Sequence, residues 1–105
     1  MKISISASSG TEAHRNEESL ERLLRIAFTR YASFIRQITL DLGARAGPSA
    51  SPGYWVRLLV CVKQWPHVEI EEIQPRLELA IDRAIHRTDG VLRQYARQKD
   101  KRASG

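Results

Sequence analysis

The chain is poor in the features that would staple it, anchor it or arm it for chemistry. Cys61 is its only cysteine, so no internal disulfide can form and no multi-cysteine metal site exists. A single thiol fits a reducing cytosol. No apolar run approaches the ~20 residues of a membrane helix. The opening MKISISASSG lacks the apolar stretch of a signal peptide. The expected place is the cytoplasm, with no membrane partner. The three histidines, His14, His67 and His86, are scattered and show no metal-binding spacing. Cys61 falls in a strand pattern with no histidine nearby in sequence, which argues against a catalytic thiol. Ser8-Ser9-Gly10 and the Gly43–Gly53 stretch lack the lysine and the strand-to-helix context of a phosphate loop. Glu71 and Glu72 are adjacent in a strand pattern and so face opposite ways. No set of residues here would run a reaction. The expectation is a non-enzyme without metal, cofactor or small-molecule substrate.

What is present is base, and a pattern for a small fold. The 105 residues fit one domain. At 42% hydrophobic and 28% charged, the composition is that of a soluble globular protein. The net charge of +5 and pI near 9.9 bias the chain toward an anionic partner.

Lys2 to Ala7 alternates, with Ile3, Ile5 and Ala7 on one face, and reads as a half-buried strand. From Thr11 to about Ile35 the period turns helical. Leu20, Leu23, Leu24, Ala27, Phe28 and Tyr31 form one stripe, and Glu17, Glu18 and Glu21 stand near its start, where acid suits the helix dipole. Gln37 to Leu42 alternates again. Gly43–Gly53, GARAGPSASPG, is a loop by composition. Tyr54 to Lys63 predicts a strong strand with Val56, Leu58, Val60 and Val62 inward. Gln64, Trp65 and Pro66 make a turn. His67 to Ile73 predicts a fourth strand with Val68 and Ile70 inward. Pro75 sits where a helix can begin, and the final helix is expected from there to about Lys101.

The resulting fold class is α+β, in the order β-α-β-β-β-α. A four-stranded sheet with two helices packed on one face closes the core, an arrangement like a double-stranded-RNA-binding domain. The first two strands should be parallel. Ile3, Ile38, Leu40, Val56, Leu58, Val60, Ile70, Leu24, Phe28, Ile81 and Ile85 should be buried. Residues 1–102 make the domain and 103–105 a disordered tail.

The last helix sorts its charge. Arg76, Arg83, Arg87, Arg97 and Lys101 fall within about 80° of one another on a helical wheel, while Glu78, Asp82, Asp89 and Asp100 collect on another side. From Arg83 to Arg102 seven bases (Arg83, Arg87, Arg93, Arg97, Lys99, Lys101, Arg102) stand against two acids. Sorted signs suggest an edge that meets an anion, whereas mixed signs at four-residue spacing would suggest a self-stabilising helix. Arginine outnumbers lysine, and its planar fork suits phosphate and stacks on bases. Arg22, Arg25 and Arg36 lie close to one line and would border the same groove if the helices pack side by side. The bland alternative is a solvated basic face. Trp55, Leu59 and Cys61 fall on the sheet face that the helices leave open. An open face is usually polar, so this patch suggests a protein contact or weak self-association.

Four segments also resemble a known family, the short ribosome hibernation-promoting factors of the protein Y type. MKISIS resembles the family's opening strand, and RQITLDL after the first helix resembles its second. ELAIDRAIHR, Glu78 to Arg87, resembles its last helix, where an Ala-Ile-Asp triplet precedes a basic residue, here Arg87. KDKR, with Lys99, Lys101 and Arg102, resembles its basic terminus. The chain departs from the family pattern at Gly90, Val91 and Gln94. The resemblance implies the same β-α-β-β-β-α fold. It also implies binding to the rRNA of the small ribosomal subunit, in the channel used by messenger and transfer RNA, and a block on translation without enzymatic activity.

Overall fold

A computed structural model describes residues 1–8, 17–45 and 53–104, with side chains described as far as Lys99. The elements are β1 (Lys2–Ala7), α1 (Glu17–Phe28), a single 3-10 turn (Thr29–Tyr31), β2 (Ile35–Ala44), β3 (Tyr54–Val62), β4 (Val68–Gln74) and α2 (Leu77–Ser104). The expected helical start at 11–16, His14 and most of the Gly43–Gly53 loop lie outside the described residues. The sheet order is β1-β2-β3-β4. β1 and β2 are parallel, with Lys2 opposite Gln37 and Ala7 opposite Leu42. β2–β3 and β3–β4 are antiparallel. The topology follows from the connections. α1 carries the chain back to the end where β1 began, so β2 must run alongside β1. Shorter links then fold β3 and β4 back in turn.

The period-two pattern is kept. Ile38, Leu40, Leu42, Val56, Leu58, Val60 and Val62 are buried on one face, and both helices cover that face. Leu24 and Phe28 from α1 join Ala80, Ile81, Ala84 and Leu92 from α2 in a single core. Three residues expected in the core, Ile3, Ile70 and Ile85, are only partly buried and pack at its margin. The two strand residues lie on the edge strands β1 and β4, which have a neighbouring strand on one side only.

The first helix is shorter than its apolar stripe suggests. α1 stops at Phe28, and the 3-10 turn closes with Ala32 donating to the Thr29 carbonyl at 3.1 Å. Phe34 then donates to the Tyr31 carbonyl at 3.1 Å. This tighter path brings Tyr31 and Phe34 inward together, their ring centroids 5.7 Å apart. It also lets β2 begin at Ile35, two residues earlier than alternation indicated. A bulge between Ile35 and Gln37 absorbs the change of phase and leaves Arg36 exposed. Leu23, counted in the apolar stripe, is 45% exposed. α2 starts at Leu77, just after Pro75 and Arg76, and its backbone is described to Ser104, so Ala103 and Ser104 of the expected tail are helical.

Candidate nucleic-acid interface

The α2 arginines do not form a single free edge with those of α1. Arg87 donates to the Glu71 carbonyl at 3.0 Å and forms an ion pair with Glu72. That edge of α2 therefore lies along β4. The hydrogen bond from Gln74, and then the guanidinium of Arg87, hold the Glu72 carboxyl below its ordinary value against the opposing effect of burial, and the charge of Arg83 adds to this. Arg83 itself is exposed. The side of α2 that meets α1 is the other one. Leu20 and Leu23 of α1 and Glu78, Ile81, Asp82 and Ile85 of α2 line an apolar groove of about 430 Å³ between the helices. Arg22 and Arg25 lie across that groove from the α2 arginines, and Arg25 is paired with Glu21 at 3.1 Å. The expected common border is therefore not formed. α1 sits on β1 and α2 on β3 and β4, so the sheet holds the two sets apart. Arg76 is exposed just ahead of α2.

Asp89, one of the acids that collect on another side of the α2 wheel, is a hub in the fold. It is only 14% exposed. Tyr31 Oη donates to its Oδ1 at 2.9 Å, Arg93 donates to its Oδ2 at 2.6 Å, and Arg30 lies 3.8 Å from Oδ1. Burial acts to raise the Asp89 pKa, but the hydrogen bonds from Arg93 and Tyr31 and the nearby guanidinium charges outweigh it and hold the carboxyl below its usual value. Burial, and then the bond to Asp89, push the Tyr31 phenol up. Its own hydrogen bond to Asp89 raises Arg93. Arg93 is thus tied to the fold, and its guanidinium remains half exposed.

About half of the cations belong to one end. Strand directions put the start of β2, the β3–β4 turn and the C-terminal half of α2 together, because α1 and β3 both run toward that end. There Trp65 stacks on Tyr95 at 5.0 Å between centroids, and Tyr95 Oη donates to the Pro66 carbonyl at 3.1 Å. Lys99 Nζ lies over the Phe34 ring, 5.5 Å from its centroid. Lys63 Nζ donates to the Ser33 carbonyl at 3.4 Å. Segments 1–2, 29–37, 61–68 and 89–104 carry nine of the seventeen Lys and Arg residues (Lys2, Arg30, Arg36, Lys63, Arg93, Arg97, Lys99, Lys101 and Arg102) but only two of the twelve acids, Asp89 and Asp100. Lys101 and Arg102 belong to this end by their place in α2, and their side chains lie outside those described. The rest of the chain has more acids than bases. Charge is therefore sorted along the length of the molecule, and the wheel of α2 showed only part of it. Lys2, Arg30 and Lys63 were missed in sequence. Tracing strand direction through the parallel β1–β2 pair would have found them.

The open sheet face is less bare than its sequence suggests. Trp55 stands opposite Gly43 and covers it closely. A Cβ at Gly43 would lie 2.6 Å from Trp55 Nε1 and 2.2 Å from Ser8 Oγ, so only glycine fits beneath the indole. Leu59 and Cys61 are half-buried, and Arg57 pairs with Glu69 at 3.3 Å. Ile73, opposite Trp55 on β4, is 59% exposed. Among the described residues no group of three or more His, Cys, Asp or Glu could hold a metal ion, and no helix is long and apolar enough to cross a membrane.

A mixed four-stranded sheet with two helices on one face and a cationic end defines a class of small α+β domain. Solved structures share the fold. One is a ribosomal subunit interface protein from Coxiella burnetii, with a TM-score of 0.66 and 13% identity over 91% of this chain and 98% of that one. Another is the N-terminal domain of protein Y from Thermus thermophilus, with a TM-score of 0.63 and 20% identity over 90% of this chain and 99% of that one. At these identities the likeness is one of fold. No protein-family model and no curated protein matches the sequence.

Proposed function

We propose that this protein is a ribosome-associated, RNA-binding factor of the hibernation type, acting in the cytoplasm. It inhibits translation by occupying the messenger- and transfer-RNA channel of the small subunit, and residues 1–102 are its ribosome-binding domain. The observation that carries this reading is the basic end. Its segments carry nine cations against two acids, and one of those acids, Asp89, already holds Tyr31 and Arg93. Cations from several elements converging on one end suit the phosphates of folded RNA, which is read largely by shape and backbone. The fold shared with a ribosomal subunit interface protein and a protein Y domain and the resemblance around Ala80-Ile81-Asp82 and Arg87 support the same partner. This role is binding and needs no catalytic group.

The test is cosedimentation with ribosomes of two double variants that remove equal charge. Arg36→Ala with Arg97→Ala alters the basic end, and Arg22→Ala with Arg76→Ala alters the remainder. The first pair should weaken binding strongly and flatten its salt dependence by roughly 0.7–0.9 log-log units for each phosphate no longer neutralised. The second pair should bind almost as the parent does. Equal weakening by both would mean that net charge alone drives association. A second reading, a protein contact or weak self-association through Trp55, Leu59 and Cys61, draws on the exposed Ile73 beside Trp55. It predicts binding that is nearly insensitive to salt and abolished by Ile73→Asp.

A further inference from the structure

The basic end holds a small cavity of about 280 Å³ lined by Ser33, Phe34, Lys63, Gln64, Trp65 and Lys99. Its size is close to the lower limit of the ~300–1,000 Å³ range of small-ligand sites, which suits one nucleotide better than a duplex. Two features make it more than a gap between side chains. The first is its chemistry. Two ammonium groups and two aromatic residues line one small space, and among the described residues neither ammonium is paired with a carboxylate. Lys99 lies over the face of Phe34, and Lys63 is held by a neutral carbonyl, that of Ser33. No carboxylate is among the lining residues. Trp65 is braced by its stack on Tyr95, which is itself bonded to the Pro66 carbonyl.

The second feature is Gln64. It is the only non-glycine residue with positive φ among the described residues, at 66°. A glycine or asparagine takes this left-handed conformation at lower cost. A turn chosen for stability alone would carry one of those. Glutamine puts an amide, with both donor and acceptor capacity, at the rim of the cavity, and strained positions of this kind gather at ligand sites.

The geometry points to a subsite for one unstacked RNA nucleotide, its phosphate between Lys63 and Lys99 and its base against the aromatic wall and the Gln64 amide. This rests on the RNA-binding reading above and adds to it a contact with the base. Single-stranded RNA is held in this way elsewhere, by aromatic platforms beside basic side chains. A phosphate-only surface would need neither the indole nor the amide.

The experiment uses the full chain carrying Trp55→Phe, so that Trp65 is its one indole. A single-stranded hexaribonucleotide should quench its fluorescence saturably, and inorganic phosphate at equal phosphate concentration should not. Lys63→Ala and Lys99→Ala should each weaken hexamer binding about fivefold to tenfold and lower the log-log salt slope by roughly 0.7. Gln64→Gly separates structure from function. It should raise the melting temperature by a few degrees, because strain is relieved, and yet weaken hexamer binding. Absence of a saturable quench, an equal response to inorganic phosphate, or lysine variants that bind as the parent does would each overturn the subsite. Ribosome cosedimentation of the parent keeps the two ideas apart. Sedimentation without a quench would leave the ribosome reading standing and remove the subsite. A lysine-dependent quench without sedimentation would do the reverse.

Discussion

Thr88 is fully buried on α2, and its Oγ1 has no hydrogen-bond partner among the described residues. A buried hydroxyl without a partner costs about 1–3 kcal/mol. Thr88→Val keeps the shape and removes the polar atom, so it should stabilise the protein by about 1 kcal/mol, read as a higher urea midpoint with an unchanged slope. Two residues further on, Gly90 sits in the helix with nothing within 4 Å of where a Cβ would stand. Gly90→Ala should add up to about 1 kcal/mol by helix propensity alone, measurable in the same titration. Asp89, between them, behaves oppositely. Its folded pKa is depressed, so its contribution to stability is complete above the ordinary carboxylate value of about 4 and is lost as the pH falls through the lower folded value. Asp89→Asn should lower stability at pH 7 and flatten the acid limb of a stability-against-pH curve. If the variant and the parent lose stability in parallel between pH 5 and 2, Asp89 is not the hub described above.

Among the elements, the strands were the most legible. Alternation in Val56, Leu58, Val60 and Val62 is a purely local signal of period two, and all four are buried. The helices were harder to delimit. The apolar stripe of α1 continues through Tyr31, yet the helix ends at Phe28, because Tyr31 reaches the core by a 3-10 turn and spends its hydroxyl on Asp89. Nothing local signals a partner 58 residues away. The sorted charge of α2 was visible on a wheel, but a wheel does not tell which side faces a neighbour. The side toward α1 proved to be that of Glu78 and Asp82, and Arg87 turned to the edge strand β4.

Taken whole, the molecule measures 56 × 26 × 18 Å, and its charge runs along it. α2, with 28 residues, is ~42 Å long at 1.5 Å per residue, longer than any strand beneath it. Its C-terminal half carries Arg93, Arg97 and Lys99 to the basic end. This arrangement was only partly legible because it is a property of topology. Arg36 looked like a neighbour of Arg22 and Arg25 in sequence. The early end of α1 placed it in β2 and so beside Lys63, whose amide donates to the Phe34 carbonyl at 2.8 Å. Composition reported an excess of base, and only the direction of each element showed where that excess collects.

The parallel pairing of β1 with β2 has a kinetic consequence. Each β1 residue meets a partner 35 positions away, as Lys2 meets Gln37, and none of its six residues is buried. The antiparallel strands β2, β3 and β4 are joined by shorter links and share the buried core. Closing the longer loop is entropically costlier and is rewarded by less burial. β1 should therefore dock last during folding and open first in the native state. Native-state hydrogen exchange reads this directly: amides of β1 should exchange through a local opening well below the global unfolding free energy, while those of β3 exchange only by global unfolding. Equal protection of the two strands would mean that the sheet closes as one cooperative unit.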